Sequence, residues 1–244
     1  MTNLISSLLV GSLCAVGGVT LVSQQITSKK DVVTRSLALP AAESLDIGGF
    51  ADVTISEGSP QQIVVTGPAY LLDQSELLVQ QGVLRFRPAS GAAQWLRNRL
   101  AKRLKIGITM PALRKVFLAG SSTITGLTPL TAPRLALVLA GTGYATLRVH
   151  NTYTSIFLNG AGTVTLCGTT TAQGVRIQGA GTYHGFDLTS LNTAASISGV
   201  GTEEVRATDS LSARISGIGV IRYRGQPVTI SRWVSGLGKL EESQ

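Results

Sequence analysis

Few side chains in this 244-residue sequence combine the residue type and the spacing that chemistry at a site requires. The two histidines, His150 and His184, have no cysteine or histidine at a metal-ligand spacing, so we expect no metal centre. Glu203, Glu204 and Asp209 lie close together in sequence, and clustered carboxylates are what a glycosidase uses. An enzyme acting on an envelope polysaccharide is therefore the catalytic alternative that the sequence leaves open.

Other catalytic and cofactor motifs are missing from the sequence. It has no Gly-x-Ser-x-Gly motif to place a hydrolase serine on a sharp turn. Gly179–Gly185 begins as Gly-x-Gly, but its third glycine is at the wrong spacing for a dinucleotide-binding turn, and no helix follows. Cys14 and Cys167 are too few for a disulfide framework or a cysteine zinc site. We therefore expect no cofactor and no metal.

Glycine gives the clearest pattern in the sequence. It accounts for 28 of the 244 residues, and in the second half it recurs in a Gly-x-Gly phrase. The first glycines of six such phrases are 18 to 20 residues apart, and a degenerate copy begins at Gly120. The paired glycines, to which we assign a structural role, are Gly141 and Gly143, Gly160 and Gly162, Gly179 and Gly181, Gly199 and Gly201, Gly217 and Gly219, and Gly236 and Gly238.

The residues around each glycine pair alternate between apolar and polar. Positions two and four before the first glycine are mostly apolar, as in Ile156 and Leu158, and this period of two predicts a half-buried strand. A second short strand is predicted after the pair, so that Gly-x-Gly marks the bend between them. The predicted buried ladder consists of Leu139, Leu158, Ile177, Ile197 and Ile215.

These patterns predict an all-β protein. A unit of about 19 residues cannot bury its own apolar face, and stacking such units gives a continuous core. The predicted architecture is a β-solenoid, similar to a right-handed β-helix, in which Gly160, Gly179, Gly199 and Gly217 stack about one strand spacing apart, ~4.8 Å. Antiparallel hairpins in a sandwich or barrel are the alternative. The constant phase of the repeats favours the solenoid.

Positive charge is concentrated in one short segment. The formal net charge is +8, and no acidic residue lies between Glu76 and Asp187. Within an insert at residues 90–105, leucines four apart predict a short basic helix near 92–105. This helix is interpreted either as a cap on the open solenoid end or as a surface that binds anionic lipid or an acidic glycan. The candidate binding residues are Trp95, Arg97, Arg99, Lys102, Arg103 and Lys105.

The N-terminal region predicts export. Residues 4–22 form a 19-residue run without charge, long enough for a membrane span and long for a signal peptide. Leu13 before Cys14 does not fit the small residue that lipoprotein attachment requires. We expect residues 1–25 to be a signal peptide or membrane anchor and residues 26–35 to be a linker. Nucleic acid is not an expected partner of an exported protein, despite the basic charge.

The repeated phrases resemble the putative auto-transporter adhesin head GIN domain family. SISGVGTEEV, RISGIGVI and FLNGAGTV match its repeated phrase, and LDIGGFADVTISEG (45–58) matches its opening. LKIGITMPALRKVFLAG (104–120) and IRYRGQP (221–227) match its middle and its ending. The resemblance spans residues 36–240 and implies a single β-helix-like exported domain without established chemistry. Where the family often has aspartate after Gly-x-Gly, this chain has Thr, Tyr, Val or Lys, so no calcium-like role is carried over.

The resemblance and the charge pattern together predict a non-catalytic domain of the cell envelope. Its expected role is binding, adhesion or scaffolding in the periplasm or at the cell surface, with anchoring through residues 4–22 as a further possibility. Its expected partner is anionic lipid, an acidic glycan or another envelope protein. The oligomeric state is left open.

Overall fold

The computed structural model of the chain describes residues 23–29, 32–73, 75–88 and 103–243. It is nearly all-β and forms a solenoid of about seven turns from repeats about 19 residues apart, which confirms the predicted fold class. The helix in the described part of the chain is a short one, α1 (Ala69–Asp73).

In the second half of the chain, coils stack in sequence order through parallel pairing. The sequence predicts two short strands per unit, whereas the strand after one glycine pair continues around a bend into the strand before the next pair. The backbone stays extended there because a parallel neighbour continues alongside it. The strands are β10 (Ser121–Gly126), β11 (Arg134–Leu139), β12 (Thr142–Leu158), β13 (Ala161–Ile177), β14 (Ala180–Ile197), β15 (Val200–Ile215), β16 (Ile218–Arg224), β17 (Thr229–Val234) and β18 (Leu237–Glu242).

In the first half, the coils are not stacked in sequence order. The coil made by β3 and β4 lies between the coil of β7 and β8 and the coil of β9 and β10, with parallel pairing on both sides. Beyond β8 the sheet continues with antiparallel β5, β2 and β1. The strands are β1 (Ser23–Lys29), β2 (Val32–Ala38), β3 (Ser44–Ile47), β4 (Ala51–Glu57), β5 (Gln62–Pro68), β6 (Ser75–Gln80), β7 (Val83–Pro88), β8 (Leu104–Met110) and β9 (Lys115–Leu118).

The coils present two broad outer surfaces. Face A is the outer surface of β8, β4, β10, the first parts of β12 to β15, and β16 and β18. Face B is the outer surface of β7, β3, β9, β11, the last parts of β12 to β15, and β17. In the second half, the glycine pairs lie at the corner where the chain passes from face B to face A.

Close approach of neighbouring coils explains why these corners need glycine. A Cβ atom on Gly160 would lie 1.8 Å from the Gly141 carbonyl oxygen, and one on Gly179 would lie 2.1 Å from the Gly160 oxygen. No side chain fits at such distances. The second glycines of successive pairs are direct register partners, from Gly143 to Gly238. The repeat spacing therefore places glycine above glycine along this corner.

The interior of the solenoid is one continuous apolar core. The predicted ladder is present: its five residues are register partners in successive coils, and all are fully buried. They are Leu139, Leu158, Ile177, Ile197 and Ile215. The core also includes the first half of the chain, because side chains of β3, β4 and β8 join the same cluster. Stacking thus buries the apolar side that each unit leaves open.

Two predicted segments differ from the structure. Residues 26–35, expected to be a linker, lie mostly in β1 and β2, which pair with each other, and β2 also pairs with β5. The predicted basic helix does not reach Lys105, because Leu104 begins β8 and is buried in the core. The rest of that helix, at residues 92–102, lies outside the described residues, as does the apolar run 4–22. Within the described ranges, no helix is long and apolar enough to cross a membrane.

Candidate functional site

The predicted basic segment joins β7 to β8. Its members Trp95, Arg97, Arg99 and Lys102 lie outside the described residues, whereas Arg103 and Lys105 lie at the start of β8. At the neighbouring corners two or three residues connect face B to face A, but fifteen residues, 89–103, separate β7 from β8. The segment is therefore a long insertion at a corner that is otherwise tight.

Arg103 forms contacts within the domain that stabilise the fold. Its Nε lies 2.7 Å from the Asp52 carboxylate, and its Nη2 donates to the carbonyl oxygens of Ala51 and Ser121 at 3.2 and 3.1 Å. The sequence shows no acid near this segment, but the structure brings Asp52 to it through the parallel pairing of β4 and β8. Arg103 is thus a positioning residue whose charge is largely balanced.

Lys105 has a different environment from Arg103. It is exposed on face A, and no ion pair within the described residues involves it. Beside it lies a shallow, open hollow of about 360 Å³, and Gly107 contributes no side chain to fill it. The hollow is lined by Asp52, Thr54, Val64, Thr66, Lys105, Ile106 and Gly107. Because it is shallow and open, the hollow does not enclose a substrate.

Of the three carboxylates that the sequence grouped together, Asp209 is exposed, and Glu203 and Glu204 lie on opposite sides of their strand. Glu203 points into the core and is 0% exposed, whereas the next residue, Glu204, points outward on face A. Glu204 lies 2.6 Å from His184 Nδ1 and 3.7 Å from Arg222, and Arg222 also contacts Glu241. Because strand neighbours face opposite sides, Glu203 and Glu204 cannot act on the same bond.

Glu203 belongs to a buried polar cluster inside the solenoid. Its register partner Tyr183 is also fully buried and donates a hydrogen bond to Gln173 Oε1 at 2.9 Å. Gln173 Nε2 donates in turn to the hydroxyl oxygens of Ser190 and Thr193, each at 3.1 Å. The Glu203 oxygens have no hydrogen-bond partner. The cluster is enclosed, so it can hold the coils in register but offers no route to a substrate.

The environment of Glu203 favours the protonated acid. Burial raises its pKa well above the ordinary carboxyl value, and the nearby backbone of Ser196 and Ile177 opposes this only in part. Burial also raises the pKa of Tyr183, and the charge of Glu203, when present, raises it further. Burial therefore favours the neutral form of both groups. The alternation of the sequence places Glu203 inward, but nothing in it reveals that Tyr183 lies alongside and is hydrogen-bonded to Gln173.

The described residues contain no group of histidine, cysteine, aspartate or glutamate that could hold a metal ion. Cys167 is partly buried, and its thiol contacts the Leu147 carbonyl. His150 lies on a strand with its Nδ1 3.0 Å from the Thr169 hydroxyl oxygen. These polar groups contact neighbouring coils. The large outer faces remain as the surfaces available to a partner.

These features define a β-solenoid with wide outer faces and a sealed interior. The chain belongs to the family described as "Putative auto-transporter adhesin, head GIN domain", which matches residues 43–227 and confirms the resemblance seen in the sequence. The family description indicates an adhesin-type domain with an extracellular or envelope location.

Solved structures share this fold. A "putative adhesin" from Bacteroides fragilis has a TM-score of 0.79 and 22% identity, over 88% of this chain and 98% of that chain. A "putative lipid binding protein" from Parabacteroides distasonis has a TM-score of 0.68 and 21% identity, over the same 88% and 98%. At these identities the likeness extends to the fold alone. A search of curated proteins finds no match.

Proposed function

We propose that this domain is a non-catalytic binding module of the cell envelope that attaches to anionic lipid through residues 95–105. The observation that carries the proposal is the fifteen-residue insertion between β7 and β8, where neighbouring coils have a tight corner. An insertion of this length is not required to close the coil. Its sequence combines basic residues with tryptophan and leucine, which suits the interface of an anionic membrane.

The charges of the described part of the segment support the same proposal. Arg103 fixes the end of the segment to β4 and β10, while Lys105 stays exposed beside an open hollow. Each basic residue near an anionic membrane contributes roughly 1 kcal/mol, so a few of them give weak, salt-sensitive binding. The "putative lipid binding protein" of the same fold is consistent with lipid as a ligand class.

Export by residues 1–25, as a cleaved signal or a retained anchor, is part of the proposal. Retention would hold the domain at the membrane and raise its local concentration there, so that weak contacts suffice. Alkaline phosphatase fused after Gln25 should be active in a bacterial host. An inactive but expressed fusion would contradict export.

Vesicle co-sedimentation of the full-length protein tests the lipid contact. The protein should bind anionic vesicles more strongly than neutral ones, and high salt should remove the difference. The variant Arg97→Gln, Arg99→Gln, Lys102→Gln should lose most of this preference, with Arg103 left intact because of its contact with Asp52. The matched control Arg134→Gln, Arg176→Gln, Arg214→Gln removes the same amount of charge from face B and should retain the preference for anionic vesicles. Equal losses in both variants would show a general effect of charge and contradict the proposal.

A further inference from the structure

Face B carries an unusual distribution of charge in its last seven strands. The segments 115–118, 134–139, 153–158, 172–177, 192–197, 210–215 and 229–234 contain five basic residues and no acidic residue. All five are exposed, and no ion pair among the described residues includes any of them. Four of them, Lys115, Arg134, Arg176 and Arg214, point outward on face B. The fifth, Arg232, pairs with the buried Ala213 and therefore lies on the inner side of the last strand, β17.

Face A does not share this property. Its carboxylates Glu204 and Glu241 contact basic side chains of neighbouring strands. Lys239 also contacts Glu241. Its arginines Arg148, Arg206 and Arg224 are exposed and are in no ion pair among the described residues. The absence of acidic residues from these seven strands thus distinguishes face B from face A, which carries Glu204 and Glu241.

Two arginines of face B, Arg176 and Arg214, lie in a row with aromatic rings. Register pairing places seven outward residues above one another, each about one strand spacing from the next. The guanidinium of Arg214 lies 4.0 Å from the centre of the Trp233 ring, and that of Arg176 lies 5.7 Å from the centre of the Phe157 ring. This arginine–aromatic row consists of Phe117, Val138, Phe157, Arg176, Ser196, Arg214 and Trp233.

A shelf of small residues runs beside the arginine–aromatic row. These residues are also register partners, so a line of small side chains runs along the solenoid axis. Tyr153, which is 41% exposed, reaches over this line, its hydroxyl 3.2 Å from the point where a Cβ on Gly174 would be. The shelf consists of Ala136, Ser155, Gly174, Ala194, Ser212 and Ser231.

We infer that the arginine–aromatic row and its shelf form a binding surface for a linear acidic polysaccharide. Aromatic rings pack against the apolar faces of sugar rings, and arginine binds carboxylates in a planar, two-pronged way. Arg176 and Arg214 are two coils apart, roughly 9.6 Å. A regular row of this kind suits a polymer whose carboxylates recur at a regular interval. This surface is separate from the proposed lipid contact, so the domain would connect a glycan to the membrane.

Binding of alginate, a polymer of uronic acids, to the full-length protein tests the inference. Alginate should bind, with an affinity that falls as salt rises, and neutral dextran should not. The variant Arg176→Gln, Arg214→Gln should bind alginate about tenfold more weakly, because two charge-assisted contacts are lost. Trp233→Phe should bind less tightly than wild type while keeping the charge.

The matched control is Arg148→Gln, Arg206→Gln, which removes two exposed arginines from outside face B. It should change alginate affinity by less than about threefold, and both double variants should keep the circular dichroism spectrum of the wild type. An equal loss of alginate affinity in the control variant would show that only net charge matters and would overturn the inference. Binding of anionic vesicles that depends on Arg176 and Arg214, without alginate binding, would also overturn it. The variant at Arg97, Arg99 and Lys102 should bind alginate normally, so this result is independent of the lipid proposal.

Discussion

The two halves of the solenoid reach one core by different routes. From β10 onward each coil pairs with the coil before it, and the same glycine corner recurs. Before β10, the coil of β3 and β4 lies between two coils that come later in the chain, and antiparallel strands extend the sheet. The first half is tied by ion pairs between distant segments, such as Arg87 with Asp46 and Arg114 with Glu43. Regular repetition thus makes close backbone contact at the glycine corner the distinguishing feature of the second half, while the first half depends on pairing between segments that are far apart in sequence.

The largest expected effect is in the glycine corner of the second half. Gly179→Val should abolish cooperative folding, because its Cβ would lie 2.1 Å from the Gly160 oxygen and 2.7 Å from the Asn159 oxygen. We expect a cost above ~5 kcal/mol, seen as insoluble protein or a lost thermal transition. The control in the first half is Gly82→Ala, where φ is +72° and no atom lies within 4 Å of the new Cβ. It should cost only about 1–2 kcal/mol. Similar costs at both glycines would remove the contrast between the halves.

The next effect is in the apolar ladder. Ile197→Ala should lower the free energy of unfolding by ~2–5 kcal/mol, because Ile197 is fully buried between Ile177 and Ile215. Ile230→Ala, at a residue that is 43% exposed in β17, should cost about 1 kcal/mol or less. Urea titration measures both. A cost near zero for Ile197→Ala would show that this coil does not depend on the ladder.

An effect that depends on pH is expected from Glu203. The raised pKa keeps Glu203 protonated in the folded state, whereas in the unfolded chain it ionises near pH ~4.3. The unfolded state therefore releases the proton first, and stability is lost as pH rises above that value. Relative to Glu203→Gln, the wild type should lose at most ~1.4 kcal/mol per pH unit above pH ~4.3. Parallel pH profiles of the two proteins would contradict a neutral Glu203.

The smallest effect is expected in the first half. Asp46 accepts two hydrogen bonds from Arg87 Nη2, at 2.6 and 2.7 Å, on a partly exposed surface. Asp46→Asn should cost only about 0–1 kcal/mol, as for other ion pairs near solvent. Thermal unfolding at low and high salt measures it, with Arg87→Gln as the companion variant. A cost approaching that of Ile197→Ala would mean that this pair is essential to the first half.

The sequence predicts the second half better than the first, for a physical reason. Gly160 and Gly179 recur at constant spacing because neighbouring coils approach in the same way each time, and that spacing is visible in the sequence. Gly48 and Gly49 belong to a coil of the same stack, but their neighbours along the solenoid are far away in sequence. No regular spacing connects them to Gly120, so the position of their coil between two later coils cannot be predicted from the sequence.

Pairing between distant residues also limits what could be predicted about the surface. The sequence shows Arg103 in a segment without acids, and only the alignment of β4 with β8 brings Asp52 to it. Arg176 and Arg214 are isolated arginines in their own repeats. They become part of one row with Phe157 and Trp233 only when the register of the coils is known.

The position of the β3–β4 coil has a consequence for the order in which the chain folds. Thr123 of β10 pairs with Asp52, 71 residues earlier, and Lys105 of β8 pairs with the same Asp52 from the other side. In a chain synthesised from its N-terminus, β3 and β4 cannot complete their pairing until the strands on both sides, β7 to β10, have also been synthesised. The late coils, in contrast, need only the coil just completed. Contacts at long separation slow folding, so the first half should set the rate and the second half should follow by adding one coil at a time.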